Sequence, residues 1–257
     1  MQDIKFTKKQ NAIWHKLFTR QIGNVAAHAC SFYKAGFDNL TLPSDKVPSL
    51  DLLNGKITPK TGWRVIRTPI RYSDTLPWYQ HFARREFIIT NYLRSEKEID
   101  YTPEPDMFHD IFGHLPFLTL PAYTGLLDIF TKAYFTSNAQ GKEDIKRLGW
   151  FTYEFGLIRQ KGKLKVFGTG IMSSKGEMEH VMSGKTPILP FSVGAVLTKN
   201  KAIDTFNKEL FVFDSLDALK EELSAYFQKI KVRGSELFAN PTIEDREMDL
   251  STYKNQI

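Results

Sequence analysis

The sequence predicts a mainly α protein of the α+β class, with one helical domain and a few short strands. Apolar residues recur every three or four positions over long stretches, which is the period of an amphipathic helix. Prolines and serines stand where first helical turns would begin. The stretches with strand character are short and bounded by polar or glycine residues, so few strands are expected.

The first part of the chain predicts helices joined by irregular segments. Residues 10–35 place apolar side chains at helical spacing and predict one long amphipathic helix. From 36 to 76, frequent glycine, proline, asparagine and aspartate residues indicate loops, with one short helix over residues 49–55. A proline fits the first turn of a helix over residues 77–93.

The middle of the chain predicts three more helices. One is expected to start after Pro105, a second covers residues 121–139, and a third covers residues 143–155. Prolines at positions 105 and 121 mark the first two starts, because proline is tolerated in a first helical turn.

The last third alternates between strand and helix signals. Within residues 157–171, residues 159–163 are typical of a turn between two extended runs, the second being 164–167. Ser174 and Glu177 have the spacing of a capping box that opens a helix. The last two predicted elements are a strand, 209–213, and an amphipathic helix, 214–231.

Composition and charge indicate an ordinary globular protein. Hydrophobic residues make up 42% and charged residues 25% of 257 residues. The formal charge of +6 comes from short scattered groups of lysine and arginine, which favours a solvated surface over nucleic-acid binding. We find no secretory signal and no run of ~18 apolar residues that would span a membrane. The lone cysteine, Cys30, excludes an internal disulfide, so a cytoplasmic protein is expected.

Two of the six histidines, His109 and His114, stand five positions apart. Five positions in a regular helix separate side chains by roughly 140° around the axis, too far to share an ion. Gly113 and Pro116 predict that the helix ends there, so His114 would swing back beside His109. The spacing excludes the His-Glu-x-x-His zinc proteases. Both imidazoles could then bind one metal ion, or they could simply be hydrogen-bonded to each other.

A third ligand would come from downstream, where Glu154, Glu177 and Glu179 are candidates. Glu154 is favoured because it stands among four aromatic residues, and burying an unpaired carboxylate is costly. A cation would neutralise it, although a buried ion pair would as well. Two imidazoles and one carboxylate with open positions form the facial triad of non-haem iron(II) oxygenases.

Several segments occur in a recognisable order and register: 61–64 (TGWR), 83–87 (ARREF), 102–116 (TPEPDMFHDIFGHLP), 150–157 (WFTYEFGL) and 168–177 (GTGIMSSKGE). Together they resemble the biopterin-dependent aromatic amino acid hydroxylases, and the first two look like the short bacterial phenylalanine hydroxylases. The resemblance covers about residues 14–230. It implies the helical catalytic domain of that family, with iron(II) bound by His109, His114 and Glu154.

The resemblance also implies how the substrate would be held. Arg94 would pair with the substrate carboxylate, and Asp106 would hold Arg94 in place. Pro105 and Trp150 would sandwich the substrate ring. The other implied residues are Thr102, Phe155 and Ser174, which would line the same pocket, Ser173, which would orient His109, and Glu177, which would lie nearby.

For the pterin, the resemblance implies that Trp78 stacks on the ring and that Asp110 interacts near the iron through water. The chain departs from the animal enzymes at Arg71, where they carry a glycine, and at Gly149, where they carry an aromatic residue. These departures concern the pterin side of the pocket more than the metal ligands.

The implied reaction is hydroxylation of phenylalanine to tyrosine with dioxygen and a tetrahydropterin. Trp150 favours phenylalanine or tyrosine, since the family's tryptophan hydroxylases carry a smaller aromatic residue there. The alternatives are a tryptophan or tyrosine hydroxylase of the same family, a zinc hydrolase with the same three ligands, and a non-catalytic module that a metal stabilises.

The expected organisation is a catalytic domain over residues 1–233 and a polar tail over residues 234–257 that is partly ordered at best. No regulatory domain is expected before residue 14, and no tetramerising helix is expected because the tail after Lys231 has no heptad pattern. A monomer or weak homodimer follows, whose partners are small molecules rather than nucleic acid or a membrane.

Overall fold

A computed structural model describes residues 4–71, 73–99, 104–202 and 205–233. The predicted tail, 234–257, and the predicted pocket residue Thr102 lie outside these ranges. The α-helices are α1 (Lys8–His28), α2 (Ser31–Leu40), α3 (Leu50–Thr61), α4 (Thr75–Ala83), α5 (Leu115–Leu118), α6 (Pro121–Thr136), α7 (Ala139–Gly149), α8 (Thr169–Ser173), α9 (Lys175–Met182), α10 (Val193–Leu197) and α11 (Leu216–Ile230).

The strands form two small sheets beside the helices. Strands β1 (Arg64–Thr68) and β2 (Glu86–Thr90) pair in parallel. The second sheet has the order β4-β3-β6-β5 and consists of β3 (Leu157–Gln160), β4 (Lys163–Val166), β5 (Ile188–Pro190) and β6 (Leu210–Phe213). The mainly helical fold with few strands, as predicted, is confirmed. No helix in the described ranges is long and apolar enough to cross a lipid bilayer.

The prediction of one continuous helix over residues 10–35 is wrong, because the helix is interrupted between α1 and α2. Ala29 and Cys30 are extended, and the Cys30 backbone N–H donates to the Val166 carbonyl at 2.9 Å. This edge contact with β4 takes up a donor that a continuous helix would use internally.

The predicted short helix over residues 49–55 starts as expected, but the observed helix is longer than the predicted one. The Ser49 hydroxyl accepts from the Leu52 backbone N–H at 3.2 Å and caps α3. The helix continues past Gly55 to Gly62, whose φ of 73° ends it. Burial of Leu53 and Ile57 accounts for the extra turns, since tertiary packing overrides the weak propensity of one glycine.

The predicted helix over residues 77–93 is half right. Helix α4 ends at Ala83, and Arg85, with φ 54°, reverses the chain into β2. All five residues of β2 are buried, so the strand carries no alternating pattern that would have distinguished it from a helix.

The later elements follow the prediction more closely. Helix α6 begins at the expected proline, although it stops at Thr136. The helix expected from residue 143 begins at Ala139, where Asn138 caps it through a 2.9 Å bond to the Gly141 N–H. Strands β3 and β4 form the expected hairpin, and β6 and α11 are where they were predicted.

Candidate metal centre and substrate pocket

His109 and His114 lie on a π-helix, His109–His114, which leads directly into α5. Residue i bonds to residue i+5 in a π-helix, so side chains five apart lie one above the other. The two Nε2 atoms are 3.1 Å apart. The predicted helix end at Gly113 is therefore wrong. The two imidazole rings are close together as predicted, but the π-helix brings them together and not a helix end.

Packing accounts for this local geometry. Gly113 faces α8 so closely that a Cβ there would lie 2.8 Å from the Thr169 carbonyl oxygen. In the same part of the chain, Phe108 and Phe112 stack at 4.7 Å, and Trp14 packs edge-on against Phe108 at 5.3 Å. The histidine segment is therefore held by a close glycine contact and by aromatic packing.

Glu154 ends a second π-helix, Trp150–Glu154, in which the Phe155 N–H donates to the Trp150 carbonyl at 2.8 Å. Its Oε1 lies 3.4 Å from His114 Nε2, and its Oε2 lies 3.7 Å from His109 Nε2. The possible ligand atoms of the three residues all lie within 4.8 Å of one another. Two nitrogen atoms bound at a right angle and about 2.1 Å from one ion would be about 3 Å apart, so the arrangement fits a metal.

The rival acidic residues do not reach this cluster in a ligand role. Glu177 is bound by Asn207, whose Nδ2 donates to Glu177 Oε1 at 3.1 Å. Glu179 is exposed and pairs with Lys175 at 2.7 Å. Of the three acidic candidates, the structure brings Glu154 to the histidines.

Two hydroxyl groups of α8 complete the surroundings of the cluster. Ser173 Oγ lies 2.9 Å from His109 Nδ1 and donates to the Thr169 carbonyl at 3.0 Å. A hydroxyl that donates its one proton there accepts from His109 Nδ1–H, which leaves the lone pair of His109 Nε2 for a metal. Thr169 Oγ1 donates to Glu154 Oε2 at 2.9 Å.

Burial controls the charge of the three residues. It lowers the pKa of His109 to about 4 and that of His114 well below its usual value, so both rings are neutral at pH 7. Burial also raises the pKa of Glu154 to about 7, against a smaller lowering by the Thr169 hydrogen bond. Neutral imidazoles and a carboxylate short of positive partners are suited to a divalent cation.

Arg94 and Asp106 form a buried bidentate pair at the edge of the pocket. Arg94 Nε and Nη2 donate to the two carboxylate oxygens of Asp106, each at 2.8 Å. Asp106 also accepts from the His109 backbone N–H at 3.1 Å, so one carboxylate fixes both the arginine and the start of the histidine segment. The Nη1 group of Arg94 takes no part in the two bonds to Asp106, and Arg94 lines the cavity.

The cavity has a volume of about 670 Å³, and the three clustered residues form part of its wall. Of the predicted site residues that the structure describes, all except Asp106 line it: Trp78, Arg94, Pro105, His109, Asp110, His114, Trp150, Glu154, Phe155, Ser173, Ser174 and Glu177. Asp106 lies fully buried behind Arg94. Ser174 also caps α9 by accepting from the Glu177 N–H at 3.2 Å, which is half of the predicted capping box.

The predicted pterin residues lie on the side of the cavity near β2. The Trp78 ring packs against Phe87 at 5.0 Å and His114 at 6.0 Å. Asp110 Oδ2 accepts from the Thr90 backbone N–H at 2.8 Å, and burial raises the Asp110 pKa well above its usual value. The guanidinium of Arg71 stacks 3.8 Å from the Tyr92 ring centre and pairs with Glu104.

Sequence reasoning missed several residues around the site, among them Thr169 and Asn207. Thr169 lies inside the motif at 168–177, yet no spacing rule connects it with Glu154. Asn207 follows no motif at all, although it contacts both Trp150 and Glu177.

Comparisons with known proteins find relatives over most of the chain. Residues 1–252 match the family model described as biopterin-dependent aromatic amino acid hydroxylase. The chain is 36% identical over 236 residues to a phenylalanine-4-hydroxylase of Mesorhizobium japonicum, covering 90% of this chain and 85% of that protein. A phenylalanine hydroxylase structure from Legionella pneumophila superposes with a TM-score of 0.82 at 30% identity, covering 92% and 94% of the two chains.

A third relative was solved with ligands. The Chromobacterium violaceum phenylalanine hydroxylase, bound to iron(III) and 7,8-dihydrobiopterin, gives a TM-score of 0.81 at 32% identity. The match covers 88% of this chain and 82% of that one.

Proposed function

The chain belongs to the biopterin-dependent aromatic amino acid hydroxylases, and we propose that it converts phenylalanine to tyrosine with iron(II), dioxygen and a tetrahydropterin. The observation that carries this function is the convergence of His109, His114 and Glu154 on the wall of a cavity large enough for an amino acid and a pterin. The phenylalanine-4-hydroxylases that match most of the chain support the choice of substrate.

In this proposal His109, His114 and Glu154 would hold iron(II) at the wall of the cavity. When bound, the iron and the tetrahydropterin supply the activation of dioxygen. The protein keeps both imidazoles neutral through burial, orients His109 through Ser173, and shields the reacting groups from water.

The substrate is held at its two ends. Arg94 binds the carboxylate of phenylalanine through the donors that Asp106 leaves unused, since a guanidinium carries five N–H groups. Trp150 and Pro105 hold the ring between them, with Phe155 and Ser174 beside it. Placement of the ring next to the metal is the main contribution of these residues.

The pterin occupies the side of the cavity that Trp78 and Asp110 line. Trp78 offers a flat apolar ring for stacking, and Asp110 lies beside the metal ligands for contacts through water.

The catalytic domain in this proposal spans residues 1–233. We also propose a cytoplasmic monomer or weak homodimer, which cell fractionation and sedimentation would test; the buried free thiol of Cys30 supports a reducing compartment.

The test is anaerobic loading with iron(II), followed by oxygen, phenylalanine and a tetrahydropterin, with tyrosine measured. Parallel reactions with tryptophan or tyrosine test the related hydroxylases, and zinc-loaded protein tests a hydrolase with the same ligands. His109→Ala and Glu154→Ala should each lose both iron retention and tyrosine formation. His15→Ala is the matched control, because His15 is exposed and bonds the Ser44 carbonyl at 2.9 Å. Iron-loaded protein that forms no tyrosine from phenylalanine would overturn the proposal.

A further inference from the structure

The indole of Trp150 is tied to a residue that is remote in sequence. Trp150 Nε1–H donates to Asn207 Oδ1 at 2.9 Å, across 57 positions of the chain. Asn207 is only 4% exposed and lies just before β6. The bond satisfies the single polar group of the indole, whose ring is half-buried.

The orientation of the Asn207 amide is fixed by its two neighbours. Asn207 Nδ2 donates to Glu177 Oε1 at 3.1 Å, and Glu177 is itself only 6% exposed. The indole N–H of Trp150 can only donate, so the amide carbonyl must face Trp150 and the amide NH2 must face Glu177. Glu177 stands in the first turn of α9, where a negative charge is favoured by the helix dipole.

Further contacts limit the tilt of the Trp150 ring. The Phe155 ring lies 4.5 Å away at an interplanar angle of 35°, and the Lys201 ammonium lies 6.0 Å from the Trp150 ring centre. The hydrogen bond to Asn207 fixes the edge of the indole that carries Nε1, so rotation about the Cα–Cβ and Cβ–Cγ bonds of Trp150 is restricted.

A phenylalanine at position 150 would not satisfy Asn207. Phenylalanine has no donor, so the buried Asn207 carbonyl would lose its partner, and an unpaired buried acceptor is costly. The pair therefore couples the identity of residue 150 to a fixed position of its ring.

We propose that Asn207 is a positioning residue that acts through Trp150 to hold the indole in one position on the wall of the substrate slot. The space that this position leaves beside the ring accepts phenylalanine and disfavours the larger indole of tryptophan. This inference rests on the proposed function, because it assigns Trp150 to the wall that the substrate ring contacts.

The central variant is Asn207→Leu, which keeps a similar volume and removes both polar ends of the amide. The KM for phenylalanine should rise roughly three- to tenfold, the effect of about one hydrogen bond, while kcat changes less. The ratio of kcat/KM for phenylalanine to that for tryptophan should fall. Asn200→Leu is the matched control, because Asn200 is an exposed asparagine of the same chain region.

A double-mutant cycle separates action through Trp150 from a general loss of stability. In a Trp150→Phe background, Asn207→Leu should no longer change the KM for phenylalanine or the preference over tryptophan, because the residue through which it acts is gone. If Asn207→Leu has the same effect with and without Trp150, the proposal is overturned.

Glu177 offers a second, milder test of the same chain of contacts. Glu177→Gln can still accept from the Asn207 amide through its own carbonyl, so the substrate preference should remain. Glu177→Leu removes that anchor, and it should reproduce the loss of preference seen with Asn207→Leu. Equal loss in both Glu177 variants would contradict a role based on hydrogen-bond orientation.

The bond itself can be followed without metal, pterin or turnover. The protein has four tryptophans, so a ¹⁵N–¹H spectrum shows few indole signals, and Trp150→Phe identifies the one that belongs to Trp150. Its N–H should exchange slowly with solvent in the parent protein and faster in Asn207→Leu. Fast exchange in the parent, or slow exchange in both, would overturn the inference. Loss of tyrosine formation by the parent enzyme would instead refute the proposed function, so the two failures are distinguishable.

Discussion

The carboxylate of Asp106 binds the guanidinium of Arg94 through two parallel hydrogen bonds of 2.8 Å, and neither side chain is more than 7% exposed. Burial alone would favour the neutral form of each group. The attraction between them outweighs this, so that the pKa of Asp106 is lowered and that of Arg94 is raised. The pair is therefore ionised on both sides, and the arginine is held in place before any substrate arrives.

Asp106→Asn should release Arg94 while keeping the shape of the side chain. Removing one charge of a buried pair leaves the other uncompensated, and we expect a loss of about 3 kcal/mol in the free energy of unfolding. The KM for phenylalanine should rise at least tenfold, while iron binding persists. Denaturant unfolding and steady-state kinetics measure the two effects.

The matched control for Asp106→Asn is Asp128→Asn at the exposed pair of Asp128 with Arg85, whose atoms are 3.6 Å apart. An exposed pair contributes less than about 1 kcal/mol. If both variants lose similar stability and substrate affinity, the buried pair has no special role.

Ser173→Ala should weaken metal binding without removing a ligand. The Ser173 hydroxyl fixes the tautomer and orientation of His109, and loss of such a partner typically lowers metal affinity about 10- to 100-fold. Titration of the metal-free protein with cobalt(II), followed by its visible spectrum, measures the affinity directly. Ser183→Ala is the control, because the exposed Ser183 hydroxyl bonds only the His180 carbonyl nearby. Equal cobalt affinity in Ser173→Ala and the parent would count against this role.

The sequence predicts a helix correctly where the spacing of the apolar residues agrees with the residues that start a helix, as in α6 and α11. It fails where packing decides the outcome. Strand β2 is buried throughout, so its apolar run resembles a buried helix, and the reversal at Arg85 has no glycine to mark it. Helices α1 and α2 separate because of a backbone contact with Val166, which is remote in sequence.

The metal ligands were predictable as residue types, but their geometry was not. The spacing of His109 and His114 suits a π-helix, yet residue composition does not predict a π-helix. This π-helix depends on the contact of Gly113 with α8. Asn207 could not be predicted because its importance arises from two side chains that only the fold brings to it.

Gly113→Ala tests whether the π-helix depends on close packing against α8. The added methyl group would lie 2.8 Å from the Thr169 carbonyl, so the segment must shift, at a cost of about 1–3 kcal/mol in unfolding free energy. Metal affinity should fall as the two histidines move apart.

Gly23→Ala is the control for this change, because Gly23 lies on the exposed side of α1 with nothing within 4 Å of an added Cβ. That variant should gain about 0.5–1 kcal/mol from helix propensity. A Gly113→Ala protein as stable as Gly23→Ala, with unchanged metal affinity, would contradict the role of the contact.

The buried carboxylate of Glu86 should stabilise the fold at neutral pH and lose this effect in acid. Burial opposes its ionisation, but hydrogen bonds from His81, Arg64 and Arg84 outweigh burial and lower the Glu86 pKa from 4.5 to about 2. A carboxyl group whose pKa is lower in the folded state stabilises the fold above its unfolded pKa, and it loses that contribution as the pH falls through its folded pKa. The contribution of Glu86, about 2 kcal/mol after allowance for solvent screening, should therefore be complete above about pH 5 and disappear between about pH 4.5 and 2.

Urea unfolding of the parent protein and of Glu86→Gln over this pH range measures the effect. The difference in unfolding free energy should be constant from pH 5 to 7 and should shrink as the pH falls towards 2, because protonated Glu86 then resembles glutamine. Glu143→Gln is a matched control, since Glu143 is 59% exposed and pairs only with Lys146 three residues away. A difference between parent and Glu86→Gln that stays constant down to pH 2 would show that the charge of Glu86 does not stabilise the fold, and that its packing alone does.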